Sequence, residues 1–128
     1  QAGLALDLYV PQFGGWAFTK SAAGRFVDTN CRDYGFIVRY PSYGEKQTGI
    51  PYEPWHLRYV GLPHSQIIMD EYLTLEEYID LLKPGSFYQY GSYLISHQNG
   101  RVIDAPSGWK HVTVSEDNLG GYLFTWEL

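Results

Sequence analysis

The segment EPWHLRYVG, residues 53–61, constrains this 128-residue chain more than any other part of its sequence. It places the carboxylate of Glu53 three residues before the imidazole of His56, with Pro54 between them to stiffen the backbone. We predict a strand from Trp55 to Val60. A general base beside a metal ligand suits this spacing, because zinc takes imidazole or carboxylate ligands and leaves a position open for water. A surface carboxylate and a histidine satisfied on a strand fit the same spacing, so the pair alone leaves both interpretations open.

A second candidate residue, Asp7, interrupts an apolar run near the start of the chain. Leu4-Ala5-Leu6 precede it and Leu8-Tyr9-Val10 follow it. A carboxylate in such a run is costly to bury unless it is paired or binds a metal. We therefore expect residues 4–10 to form a buried strand that carries Asp7. The alternative is an aspartate at a strand end that points to solvent or caps a turn.

Composition narrows the class of protein. The chain is long enough for one domain with a hydrophobic core, and it is rich in aromatics, with 12 Tyr and 4 Trp. A net charge of −5 argues against nucleic acid as a partner. The single cysteine, Cys31, excludes an internal disulfide. No apolar run approaches the roughly 20 residues that a transmembrane helix needs.

Residue patterns predict an α+β fold for residues 1–84. Apolar residues recur at three- and four-residue steps from Ser21 to Tyr34, which predicts a helix ended by Gly35. Thr74 and Glu77 form a capping box that begins a helix to about Leu82. The remaining predictions are a strand over residues 36–40, a loop over 41–51 and a short helix over 63–71.

After Gly85 the pattern changes to short strands. We predict them at residues 88–90, 92–97, 102–103, 111–115 and 122–126. Gln98-Asn99-Gly100 predicts a hairpin turn, and residues 117–121 predict another turn. The predicted fold class is therefore α+β, a small and mostly antiparallel sheet with helices packed on it. Residues 85–128 follow as a β-meander packed on residues 1–84, or as a small separate β module. This stretch would serve either as a cover for a sheet edge or as a subsite for glycan or peptide.

The motifs quoted above resemble the VanY-type zinc D-alanyl-D-alanine carboxypeptidases, which trim the stem peptides of bacterial cell walls. Members of this family carry Ser-x-His-x-x-Gly-x-Ala-x-Asp and later Glu-Pro-Trp-His-x-Arg-Tyr-Val-Gly. The second motif is complete here at residues 53–61, and Gly3 and Asp7 match the end of the first. Residues 34–41, 48–50 and 73–78 also resemble the family.

The resemblance implies a role for each matching residue. Asp7 and His56 would be zinc ligands, with the zinc site on the sheet, and Glu53 would be the general base. Tyr40, Trp55 and Gln1 would line the substrate pocket, although an aromatic beside a strand also suits plain core packing.

The first motif is incomplete. Its histidine, the third zinc ligand, would lie immediately before Gln1, as would its serine and an upstream substrate-binding arginine. We expect a C-terminal fragment of a longer protein rather than a variant that lost a ligand, because the sequence opens within a strand and without methionine. The 128 residues alone are then expected to bind zinc weakly and to be inactive. His64, His97 and His111 lack helpful spacing to replace the ligand.

The function implied is a carboxypeptidase that removes terminal D-alanine from peptidoglycan stem peptides in the bacterial envelope or outside the cell. Whether the cleaved bond is D,D or L,D stays open. Two alternatives also stay open: an inactive module that binds the peptide, and a dipeptidase that takes free D-alanyl-D-alanine.

Overall fold

A computed structural model of the protein describes residues 3–100, 102–117 and 119–128. The chain forms two compact units, Gln1–Tyr78 and Ile79–Leu128. Each unit has an antiparallel sheet and the first also carries helices, so the predicted α+β class is confirmed. The sequence placed the boundary after residue 84. The assignment of a peptidase core and a C-terminal extension on either side of that boundary stays a prediction.

The sheet of the first unit has three strands in the order β1-β3-β2, with both pairs antiparallel. Their bounds are β1 Ala5–Asp7, β2 Phe36–Val38 and β3 His56–Tyr59. A buried cluster of Cys31, Val38 and Leu57 forms a hydrophobic core of this unit. Val27 and Met69 are among the side chains packed against it. β3 is the central strand, so the part of the motif from His56 to Tyr59 lies in the middle of the sheet.

The prediction of a buried first strand over residues 4–10 is wrong in length and in burial. β1 covers three residues, and all three are exposed in the described structure. The physical reason is its place at the sheet edge, where it has one neighbouring strand. Asp7 ends this strand with its side chain 66% exposed, so its carboxylate keeps much of its hydration.

The first long helix follows the predicted pattern closely. Helix α1 spans Ala22–Asn30, and a 3₁₀ turn over Cys31–Tyr34 continues it. Ser21 caps its first turn, because its hydroxyl oxygen accepts a hydrogen bond from the Gly24 amide at 2.9 Å. Gly35 ends the helical segment in the left-handed conformation, with φ of 82°.

The other helices of the chain are short. They are α2 Glu45–Thr48, α3 His64–Asp70 and α4 Leu75–Leu81, preceded along the chain by a 3₁₀ helix over Gly15–Lys20. α2 lies within the segment predicted as a loop. The capping box is confirmed, since the Glu77 amide donates to Thr74 Oγ1 and the Thr74 amide donates to Glu77 Oε2. No helix in the described ranges combines the length and the apolar character that crossing a bilayer requires.

The second unit is a four-stranded antiparallel sheet. Its strands are β4 Phe87–Tyr90, β5 Tyr93–Gln98, β6 Lys110–Glu116 and β7 Tyr122–Glu127, in the order β4-β5-β7-β6. The strand predicted at residues 102–103 is absent from the described structure, and the hairpin at residues 98–100 is wrong. The Gln98 side chain instead binds the backbone of Asp104, and β5 pairs with β7. The order therefore departs from a simple meander.

A buried His97–Asp117 pair lies inside the second unit. His97 Nε2 lies 2.7 Å from Asp117 Oδ2, and His97 Nδ1 lies 2.8 Å from the Leu82 carbonyl oxygen. The ring thus bridges the Leu82 carbonyl and the Asp117 carboxylate. Asp117 Oδ1 also accepts from the amides of Leu119 and Gly121, which forms the predicted turn between β6 and β7.

Candidate metal centre and active site

Asp7 and His56 lie directly opposite each other on neighbouring strands. The antiparallel register of β1 and β3 pairs them, and Asp7 Oδ1 lies 2.5 Å from His56 Nδ1. The His56 side chain is a quarter exposed, so the pair opens to the surface. The structure therefore brings these two residues together on the sheet, and their role as metal ligands stays a prediction.

Glu53 lies on a turn that leads into β3. The His56 amide donates to the Glu53 carbonyl at 3.1 Å, and Pro54 is buried at the second position of this turn, where its fixed φ favours the bend. The Glu53 amide donates to the Tyr40 carbonyl at 2.9 Å, so the backbone of Glu53 is held from two sides. Its half-buried carboxylate receives no hydrogen bond from the residues that the structure describes, so it is available as a proton acceptor.

Tyr40 packs against His56. The two rings stack with centroids 5.2 Å apart and planes inclined by 24°. The guanidinium of Arg39 also lies 5.0 Å from the centroid of the Tyr40 ring. Arg39 in turn makes two hydrogen bonds to the carboxylate of Glu76. Sequence reasoning did not pair Arg39 with Glu76, because they lie 37 positions apart and no local pattern joins them.

Trp55 lies between Glu53 and His56 in the chain and is half-buried. Its ring meets Trp16 edge to face at 6.2 Å, and Trp16 also contacts Tyr52 at 6.2 Å. Trp16 is 65% exposed, which leaves most of an indole ring open beside the turn. Gln1, the remaining predicted pocket residue, lies outside the described residues.

A groove of about 340 Å³ runs along the edge of the sheet. Asp7, His56 and Arg58 line it together with residues 3–6. Its described lining does not include Glu53, Tyr40 or Trp55. The structure therefore brings the two predicted ligands together in one groove and places the predicted base on the adjoining turn.

The donor set of the pair fits zinc in kind, because imidazole nitrogen and carboxylate oxygen are both zinc ligands. It fits two of the usual three protein ligands, since the described residues contain no group of three His, Cys, Asp or Glu side chains placed to hold a metal. His64 Nδ1 lies 2.7 Å from the Tyr78 hydroxyl, and His97 uses both ring nitrogens within the second unit. The His111 side chain lies outside the described part of the chain.

Comparison with known proteins points to one family. The family model described as "VanY: D-alanyl-D-alanine carboxypeptidase" matches residues 1–62. A D-alanyl-D-alanine carboxypeptidase of Enterococcus faecium is 36% identical over 136 residues, and the match covers 97% of this chain and 42% of that protein. The chain spans between 30% and 42% of the length of the curated relatives that it matches.

Two solved structures extend the likeness to the fold. One is the vancomycin resistance D,D-dipeptidase VanXYg in complex with a D-Ala-D-Ala phosphinate analogue. It is 28% identical with a TM-score of 0.80, and the match covers 98% of this chain and 56% of that one. The other is a mutant of the vancomycin resistance D,D-pentapeptidase VanY in complex with Zn(II). It is 38% identical with a TM-score of 0.51, over 60% of this chain and 42% of that one. On these grounds the chain belongs to the VanY-type family of D-alanyl-D-alanine carboxypeptidases.

Proposed function

We propose that the protein is a zinc-dependent carboxypeptidase that removes a terminal D-alanine from peptidoglycan stem peptides. The observation that carries the proposal is the pairing of Asp7 with His56 across two strands, with Glu53 three residues away on a turn held by hydrogen bonds. The family supplies the substrate class, and the Zn(II) complex of a VanY neighbour supports the metal.

Asp7 and His56 would hold the zinc ion through Oδ1 and Nδ1, the two atoms that face each other across the strands. A third ligand is proposed immediately before Gln1, where the family motif has a histidine. When bound, a zinc ion in such a site lowers the pKa of water to about 7 and polarises the carbonyl that is attacked.

Glu53 is the proposed general base. Its carboxylate accepts a proton from the attacking water and later donates that proton to the amine of the leaving D-alanine. The turn from Glu53 to His56 holds base and ligand at a fixed separation along the backbone. Tyr40, whose carbonyl binds the Glu53 amide, and Trp55, within this turn, are proposed to border the substrate, and Gln1 is proposed to do so from the start of the chain.

The proposed site of action is outside the cytoplasm, because peptidoglycan is the substrate of the family. A second candidate, hydrolysis of free D-alanyl-D-alanine, is favoured by the D,D-dipeptidase whose structure matches 98% of this chain. A third, an inactive module that binds the peptide, draws on the two-ligand set of the described residues. These candidates differ in what the protein cleaves and in whether it holds a metal.

The test uses Glu53→Gln in the full-length protein, with the exposed Glu45→Gln on α2 as the matched control. We expect Glu53→Gln to retain stoichiometric zinc and to release D-alanine from a stem pentapeptide at least about 100-fold more slowly, the usual worth of a general base. Glu45→Gln should match the unaltered protein. A Glu53→Gln protein that cleaves at the normal rate would remove Glu53 from the mechanism.

The choice of substrate separates the candidates. Release of D-alanine from a pentapeptide supports the carboxypeptidase, and release from a tetrapeptide identifies an L,D bond. Cleavage of free D-alanyl-D-alanine alone supports the dipeptidase. A metal-free protein that binds the pentapeptide without cutting it would establish the binding module and refute the proposal.

A further inference from the structure

We propose that Arg39 and Glu76 are positioning residues for His56, acting through the ring of Tyr40. This inference rests on the proposed role of His56 as a metal ligand. The four side chains lie in one continuous series of contacts, from Glu76 on α4 through Arg39 and Tyr40, which follow β2, to His56 at the start of β3.

The series begins with a two-point ion pair. Arg39 Nη2 lies 2.5 Å from Glu76 Oε1, and Arg39 Nη1 lies 3.1 Å from Glu76 Oε2. Two parallel hydrogen bonds hold the plane of a guanidinium as well as its position. Burial raises the pKa of the Glu76 carboxyl, but hydrogen bonds and the charge of Arg39 outweigh this, so its pKa lies below the usual value. Both partners are therefore charged at neutral pH.

The guanidinium then holds an aromatic ring in place. Its central carbon lies 5.0 Å from the centroid of the Tyr40 ring, within the range of a cation–π contact. The Tyr40 ring stacks on the imidazole of His56 with an inclination of 24°. Arg39 thus contacts the ring on which the His56 imidazole stacks.

The backbone adds two contacts between the same segments. The Arg39 amide donates to the His56 carbonyl at 3.0 Å, and the Tyr40 carbonyl accepts from the Glu53 amide at 2.9 Å. Residues 39 and 40 therefore touch the proposed base and one proposed ligand through main chain and side chain together. A displacement of this dipeptide would move both functional groups.

The imidazole ring of His56 is not held in one orientation by its own side chain. The torsion that turns an imidazole about its Cβ–Cγ bond has a broad energy profile, so the side chain does not hold its own ring plane. A flat aromatic neighbour removes much of that freedom and keeps Nδ1 directed at Asp7. Groups that orient metal ligands in this way are typically worth 10- to 100-fold in metal affinity.

The matched control is a second ion pair of the same unit. Arg32 Nη1 lies 2.6 Å from Asp70 Oδ1, and these side chains are 31% and 47% exposed, against 18% and 41% for Arg39 and Glu76. Neither partner contacts Tyr40 or His56 in the described structure. A variant that loses this pair shows how much the loss of a surface ion pair alone changes the zinc affinity.

The experiment compares Glu76→Gln, Arg39→Met and Asp70→Asn in the full-length protein. Zinc affinity is measured by competition with a chromophoric chelator. We expect Glu76→Gln and Arg39→Met to raise the zinc Kd about 10-fold, by the usual worth of a group that orients a ligand. Asp70→Asn should leave it unchanged. Because Glu76 acts through Arg39, the double variant should bind zinc no more weakly than Arg39→Met alone.

A second measurement is independent of metal. We expect the stacked Tyr40 ring to shift the proton resonances of the His56 imidazole in the metal-free protein, and Glu76→Gln should reduce that shift. Asp70→Asn should not. Because glutamine matches glutamate in size on a helix, Glu76→Gln keeps the fold and the comparison interpretable even if Arg39→Met unfolds.

The outcomes separate this inference from the proposed function. His56→Ala should abolish tight zinc binding, and if it does not, the proposed metal site is wrong. If His56→Ala abolishes zinc binding while Glu76→Gln and Arg39→Met retain the normal zinc Kd and the normal His56 resonances, the positioning role is wrong and the metal site stands.

Discussion

Burial of His64 predicts a loss of stability on acidification that is large for a single residue. Its side chain is 6% exposed at the start of α3, and Nδ1 lies 2.7 Å from the hydroxyl oxygen of Tyr78. Burial lowers the pKa of His64 from 6.5 to about 4, because a charged imidazolium loses its hydration there. The folded state therefore keeps this ring neutral at neutral pH.

The sign and the size of the effect follow from the two pKa values. Between pH 4 and pH 6.5 the unfolded chain binds more protons than the folded one. The free energy of unfolding therefore rises with pH in this window and decreases as the pH falls through it. The full difference of about 2.5 pKa units corresponds to about 3 kcal/mol. At pH 5 most of this is already lost, and we expect a decrease of about 2 kcal/mol relative to pH 8.

The assay compares the protein with His64→Gln, which keeps a hydrogen-bonding group but does not ionise. Unfolding free energies at pH 8 and pH 5 come from hydrogen exchange of the Ile37 amide, a strand residue that reports on the first unit. The unaltered protein should lose about 2 kcal/mol more than His64→Gln between these pH values, since all other titrating groups are common to both. NMR titration of the His64 ring measures its pKa directly.

Two results would show that burial of His64 does not cause the acid sensitivity. A His64 ring that titrates near 6.5 in the folded protein would mean that burial does not disfavour its charge. An equal loss of stability in His64→Gln and in the unaltered protein would assign the acid sensitivity to other groups.

Two further predictions concern packing in each unit. A Cβ added at Gly24 would lie 2.0 Å from the carbonyl oxygen of Phe18, so Gly24→Ala should destabilise the first unit by about 3 kcal/mol in thermal unfolding, whereas Ala23→Gly on the exposed side of α1 should cost about 1 kcal/mol. Equal losses of stability in the two variants would contradict the close approach of Gly24 to Phe18. Asp117→Ala leaves His97 Nε2 without its buried partner and should destabilise the second unit by about 2 kcal/mol, measured by hydrogen exchange in β7, and an unchanged exchange rate would contradict the contribution of this pair.

Local patterns in the sequence were sufficient for several elements. Ser21 and Gly35 mark the helical segment between them, and Thr74 with Glu77 marks the start of α4, because caps involve atoms only a few residues apart. The same reasoning failed at Gln98-Asn99-Gly100. These residues have the sequence of a hairpin turn, but the strand that follows them in the chain does not pair with β5. β5 pairs with β4 on one side and with residues 122–127 on the other.

In the candidate site, too, the sequence predicted the residues but not their arrangement. Asp7, Glu53 and His56 were identified from residue type, spacing and resemblance, but their relative placement depends on the register of β1 against β3. A shift of one residue in that register would turn Asp7 to the opposite face of the sheet from His56. Arg39 and Glu76 lie in segments that resemble the family, but nothing in the sequence joins the two, since each is an ordinary charged residue until the fold brings them together.

Motifs and caps depend on residue identity at short range, so they were enough to indicate the family, the α+β class and the chemical groups of the site. The exposure of Asp7 at a sheet edge, its position opposite His56 and the packing of Tyr40 on the imidazole and beside Arg39 came only from the folded chain. These contacts join residues distant in the chain, and their energies depend on geometry that no local pattern encodes.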